Sequence, residues 1–252
     1  MKSLAFRLGL CFALGITTLA AHAQTFSCPA GSEDMLNYFV MAYPARNSNF
    51  MGPGNSNPVY STIVPELGTS FADSGYFVWT KSSAGYPWDV KAFDEDYIYD
   101  RTTELNWNDP TSFKRFNIDL PLSRRCIATS SGTTIRVISA STYYSSYETC
   151  QSYLTQDLGY VKNVISAPAY VQTNGNLGVV KTRQLNYSYG CNSNYANCTD
   201  VEVFSMGYQI GLYEWQHFQN HGGKWSMAQE SDINEYDSGA ATPYLPCSDS
   251  YQ

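Results

Sequence analysis

The sequence predicts a mainly β, disulfide-stapled domain: an antiparallel β-sandwich or jelly-roll-like arrangement with two short peripheral helices near 32–43 and 146–158. Three observations lead there. From Tyr76 onward, β-branched and aromatic residues alternate with polar ones over short runs, the period of a half-buried strand. Gly, Pro, Asn and Ser punctuate these runs, as in Asn174-Gly175 and Asn220-His221-Gly222-Gly223. Two stretches, near 32–43 and 146–158, place apolar residues at helical spacing.

The chain opens with Lys2 and Arg7, the largely apolar run Leu8–Ala21, and the small-x-small triplet Ala21-His22-Ala23. That is the pattern of a secretory signal peptide over 1–23, cleaved after Ala23. The run is short of the ~20 residues a spanning helix needs. The product, 24–252, is therefore expected to be one β-rich domain, secreted or periplasmic, with no membrane insertion after cleavage. Ser32 stands where it would cap a helix, and Met35, Leu36, Phe39, Val40 and Tyr43 follow at helical spacing until Pro44. Residues 46–75 are rich in Asn, Ser, Pro and Gly and read as a long irregular loop.

Tyr76–Thr80 begins the β region. From Phe93 the residues alternate as far as Trp107. Phe93, Tyr97, Tyr99, Thr103, Leu105 and Trp107 share one parity; Asp94, Asp96, Ile98, Asp100, Thr102, Glu104 and Asn106 share the other. The expectation is one long strand, aromatic toward the core and acidic toward solvent or a cleft. Phe116–Leu122 and Thr133–Ser139 read as strands on either side of the turn Ser130-Ser131-Gly132. Ser145 and Glu148 have capping-box spacing. Tyr147, Cys150, Tyr153, Leu154 and Leu158 then recur helically, with Gly159 placed as a C′ residue. Gly178–Tyr189 alternates as a strand. Val201–Ser231 admits helix or strand, and a hairpin with strands near Tyr208–Gln219 and Lys224–Gln229 fits it better.

Of the 7 Cys, Cys11 leaves with the leader. The six that remain suit three disulfides in an oxidising compartment. The short polar loop CNSNYANC suggests Cys191–Cys198. Cys28–Cys247 would tie the two ends, leaving Cys126–Cys150 to join a strand end to the second helix. The spacing lacks the paired C-x-x-C of a zinc site, and no metal or other cofactor is expected. Removing Lys2 and Arg7 with the leader takes the net charge from −7 to −9. An acidic surface disfavours nucleic acid and anionic membrane.

The chemistry-bearing residues concentrate between Tyr76 and Trp107. Trp88-Asp89 follows Pro87, and Trp107 precedes Asn108-Asp109. A Trp offers a flat apolar face with a polar tip, which beside a carboxylate suits a sugar ring. Trp88, Asp89, Asp96, Asp100 and Trp107 are therefore the expected ligand-binding residues, with a polysaccharide or glycan as partner. Glycosidic hydrolysis is the alternative, because it needs two carboxyls ~5–10 Å apart. Along one strand Asp96 and Asp100 would be ~13 Å apart, so a catalytic pair would have to form across strands. No catalytic residue is assigned. Glu214, His217 and His221 would share a face only on a helix, and would then suit zinc; on a strand Glu214 and His217 diverge. The leading expectation is a non-catalytic carbohydrate-binding protein. A secreted hydrolase and an envelope or surface protein without a small ligand are the other two readings.

Overall fold

The computed structural model describes residues 26–40, 47–49, 60–64, 75–80, 87–105, 112–146, 152–173 and 178–232. These form a mainly β structure with antiparallel sheets. In chain order the elements are β1 (Ser32–Asp34), α1 (Leu36–Phe39), β2 (Asn47–Asn49), β3 (Tyr60–Val64), β4 (Gly75–Thr80), β5 (Pro87–Phe93), β6 (Tyr97–Leu105), β7 (Ser112–Arg124), β8 (Cys126–Ala128), β9 (Thr133–Ser146), β10 (Ser152–Ile165), β11 (Ala169–Gln172), β12 (Val179–Cys191), β13 (Asp200–Gly207), β14 (Gly211–His221) and β15 (Lys224–Asp232).

The main sheet runs β15-β14-β13-β12-β10-β9-β7-β6-β5-β4-β3-β2, with β11 added alongside β12. β1 and β8 form a separate two-stranded sheet. Along this path every strand lies beside the strand next to it in that sheet's sequence order, apart from the short β11. The path is a meander, whereas a jelly roll interleaves strands through Greek-key crossovers. The sheet curls. Phe39 of α1 meets Phe77 of β4, ring centroids 6.0 Å apart, while its neighbour Tyr38 meets Tyr208 beyond β13 at 5.5 Å. Strands far apart in the sheet order thus close on one four-residue helix. Met35, Leu36, Tyr38, Phe39 and Val40 are all buried there, in one core with Ile98, Leu120, Val137, Val161, Leu185 and Phe204 from the strands.

Two buried arginines hold this N-terminal segment against the sheet. Arg183 of β12 is fully buried and uses its whole guanidinium. Nε and Nη2 donate to Glu33 Oε1 at 2.9 and 2.6 Å, Nη2 also to Ala128 O, and Nη1 to Ser131 O and Ser166 O. Lys181 Nζ and Tyr38 OH also donate to Glu33, at 2.6 and 3.0 Å. Arg125 donates to Asp34 through Nε and Nη2 and to Asp94 O through Nη1, with its guanidinium carbon Cζ 3.6 Å from the centroid of the Phe26 ring. Burial alone would raise the Glu33 carboxyl, but the donors Lys181, Arg183 and Tyr38 and the Arg183 charge outweigh it and leave it lowered. For Asp34, burial outweighs the Arg125 charge and the Leu36 N–H, so its carboxyl is raised.

These contacts explain why the first expected helix fails. Glu33 and Asp34 sit in β1, paired with Ile127 and Cys126. Asp34 rather than Ser32 meets the helix start, accepting from Leu36 N at 2.9 Å. Only Leu36–Phe39 is helical. The second expected helix, 146–158, is overturned outright: the described residues on either side belong to β9 and β10, and Leu154, Gln156 and Asp157 pair with Tyr144, Thr142 and Ser141. Register shifts at Ser152/Leu154, Asp157/Gly159 and Gly159/Val161 break the alternation of β10. Broken alternation spaces its apolar residues like a helix. Gly159 does have positive φ (+63°), but as a bulge residue, its N–H held by Asp157 Oδ1 at 2.8 Å. The loop expected over 46–75 contains β2 and β3.

Cys191–Cys198 forms as expected. The expected Cys28–Cys247 and Cys126–Cys150 pairs give way to Cys28–Cys126, which ties the segment before β1 to β8. Cys150 and Cys247 lie outside the described residues. The hairpin around Asn174-Gly175 holds in the register of its arms, where Gln172 faces Val179; the turn itself lies outside the described residues. The hairpin across Gly222-Gly223 is present, with β14 a strand throughout.

Among the described residues no helix is long and apolar enough to cross a membrane. The disulfides are compatible with an extracellular location.

Candidate functional site

The residues singled out in the sequence do not gather at one place. The alternation from Phe93 is not one ribbon: β5 ends at Phe93, Asp94–Asp96 turn, and β6 starts at Tyr97. Asp94 is the hub of that turn, accepting from Asp96 N and Tyr97 N at 2.8 Å each and from Tyr99 OH at 2.8 Å. Asp96 is exposed there. Asp100 points the other way. It is buried on the parity of Ile98, its Oδ1 3.1 Å from Lys91 Nζ, and Lys91 is buried as well. The polarity expected for this ribbon is thus inverted at 97–100: Ile98 and Asp100 face inward, and Tyr97 and Tyr99 are half-buried. Trp88 and Asp89 lie within β5, not in a turn, and Asp89 is in register with Trp79. Trp107 lies outside the described residues.

A different group does come together, on β12, β13 and β14. Pairing puts Leu185, Phe204 and Trp215 in one row across the three strands, Tyr187, Glu202 and His217 in the next, and Tyr189, Asp200 and Gln219 in the third. Paired residues share a face, and this is the core face, because Leu185 and Phe204 are buried in it. The rows grade from dry to wet. Tyr189, Asp200, Glu202, Trp215, His217 and Gln219 are all half-buried. From strand spacing and rise, the three-by-three patch measures about 10 Å by about 13 Å.

The rings are close-set. Tyr187 and Tyr189 have centroids 5.1 Å apart, and His217 stacks with Tyr189 at 6.4 Å and with Trp215 at 6.3 Å. The carboxylates are bound diagonally. Trp215 Nε1 donates to Glu202 Oε2 at 2.8 Å. His217 Nε2 lies 2.9 Å from Asp200 Oδ1, so Nε2 carries the hydrogen and donates to the carboxylate. Tyr189 OH is 3.4 Å from that same nitrogen, and Gln219 Nε2 donates to Asp200 Oδ1 at 3.4 Å.

No family model, curated protein or solved structure matches this chain.

Chemically the patch offers flat apolar faces beside carboxylates. It is not a relay. A nucleophile–His–Asp device needs the two imidazole nitrogens to serve different partners, whereas Tyr189 and Asp200 both address Nε2. Among the described residues no group of His, Cys, Asp and Glu could hold a metal ion. Glu214 sits on the other parity of β14, accepting from Ser205 Oγ at 2.8 Å. Each strand's share of the patch is legible within that strand, at i, i+2 and i+4: Leu185-Tyr187-Tyr189, Asp200-Glu202-Phe204 and Trp215-His217-Gln219. Sequence reasoning missed the patch because nothing local states the register that lays these triplets side by side.

Proposed function

We propose that this is a non-catalytic glycan-binding protein, with Tyr189, Trp215 and His217 as the ring platform and Asp200, Glu202 and Gln219 as the polar rim. The observation that carries the reading is the half-exposed diagonal of stacked rings with carboxylates interleaved on one sheet. A sugar ring has an apolar C–H face for the aromatic rings and hydroxyls for the rim. Neighbouring strands place these side chains, so little ordering cost remains on binding. Export through a cleaved signal peptide would bring such a protein to extracellular polysaccharide. The test is retention on a panel of insoluble polysaccharides for wild type, Tyr189→Ala and Trp88→Ala. Retention lost with Tyr189→Ala and kept with Trp88→Ala supports the patch, and the reverse moves the site to β5. Failure of the wild type to bind any polysaccharide sinks the reading.

A secreted glycosidase is the second reading, favoured by one observation. Asp200 and Glu202, two apart on one strand face, are separated by ~6.6 Å of strand rise, within the ~6.5–9.5 Å range of an inverting pair. Release of reducing ends from a bound polysaccharide, abolished by Glu202→Gln, would support it.

A further inference from the structure

Resting on the glycan reading, we infer that the ligand carries protonated amines: an amino-sugar polymer of the chitosan type rather than a neutral glycan. What Asp200 and Gln219 have left to offer decides this. Asp200 uses only Oδ1, for His217 and Gln219, so Oδ2 remains an acceptor. Gln219 gives its amide N–H to Asp200, which leaves Oε1, another acceptor. Among the described residues, these two side chains keep no donor beyond the second amide hydrogen of Gln219.

A neutral hydroxyl both donates and accepts, so a site for neutral sugar profits from a mix. An ammonium donates three hydrogens and accepts none. It matches a rim of acceptors, gains charge-assisted bonds to Asp200 and Glu202, and is attracted to the faces of Trp215 and Tyr189. His217 is the only basic side chain in the three rows, and it is already matched to Asp200.

The test compares glucosamine oligomers with N-acetylglucosamine oligomers of equal length by calorimetry near pH 6. Tenfold or greater preference for the deacetylated chain is expected, shrinking as salt rises. Asp200→Asn should reduce the preference to under threefold, while Glu95→Gln, in the exposed turn after β5, should leave it intact. If Asp200→Asn does not fold, the wild type carries the test alone: its preference should fall as rising pH deprotonates the amine. Equal or tighter binding of the acetylated chain overturns the inference and keeps the glycan reading. Absence of binding to both oligomers and to every polysaccharide overturns the glycan reading itself.

Discussion

Replacing Glu33 with Ala removes the carboxylate that pairs with Arg183. Both are out of water: the Arg183 side chain is fully buried and that of Glu33 is 10% exposed. Arg183 would lose two hydrogen bonds and its counter-charge but keep three main-chain carbonyls, and Lys181 and Tyr38 would lose their shared acceptor. Breaking a buried pair from one side costs about 3–5 kcal/mol, because the stranded charge stays desolvated. Native domains are stable by only about 5–15 kcal/mol, so the loss is large. At about 2–4 °C per kcal/mol for a domain of this size, the melting midpoint should fall by roughly 6–20 °C. The assay is urea unfolding with disulfides intact, followed by tryptophan fluorescence and read as a shift in midpoint at constant slope. Glu33→Gln, which keeps an oxygen facing Arg183, should cost less than Glu33→Ala. Glu33→Ala combined with Arg183→Met should cost less than the two added, because the stranded charge is gone. A loss below 1 kcal/mol in Glu33→Ala would show that β1 is not anchored through this pair.

The two neighbouring carboxyls should respond to pH in opposite senses. Glu33 is lowered from 4.5, so its contribution is full above that value and is lost as pH falls through the lower folded value. Asp34 is raised from 3.8, so its contribution is full below that value and is lost as pH rises through the folded one. The cost of Glu33→Gln, measured by urea unfolding from pH 3 to 8, should therefore shrink toward acid, and that of Asp34→Asn toward neutrality. Gly159→Ala puts a Cβ on a residue at φ +63°, 3.2 Å from Cys191 O, and should destabilise by about 1–2 kcal/mol; no change in unfolding midpoint would show that the bulge relaxes. Non-reducing peptide mapping should yield Cys28–Cys126 and Cys191–Cys198 cross-links. A Cys28–Cys247 peptide would contradict the β1–β8 tether.

Strand content and hairpins were legible because they are local: β12 and the β14–β15 hairpin stand where alternation and Gly222-Gly223 put them. The Cys191–Cys198 loop was legible for the same reason, since a short polar span leaves little choice. Alternation failed where the backbone departs from period two. Register shifts along β10 counterfeited a helix, and the turn at Asp94–Asp96 split what looked like one ribbon. Charge alone also misplaced Asp100, since an aspartate in an alternating strand reads as solvated until a Lys91 is found facing it from the next strand.

The amino-acid order by itself determined a mainly β chain with disulfides, because period, turn chemistry and the Cys191–Cys198 span are all short-range. Which faces turn inward, which cysteine meets Cys28 and which rings share a platform were decided by the tertiary structure. Those outcomes depend on strand register and on how the sheet curls around Leu36–Phe39. Both are set by the joint burial of residues far apart in the chain, and no window of sequence contains that sum.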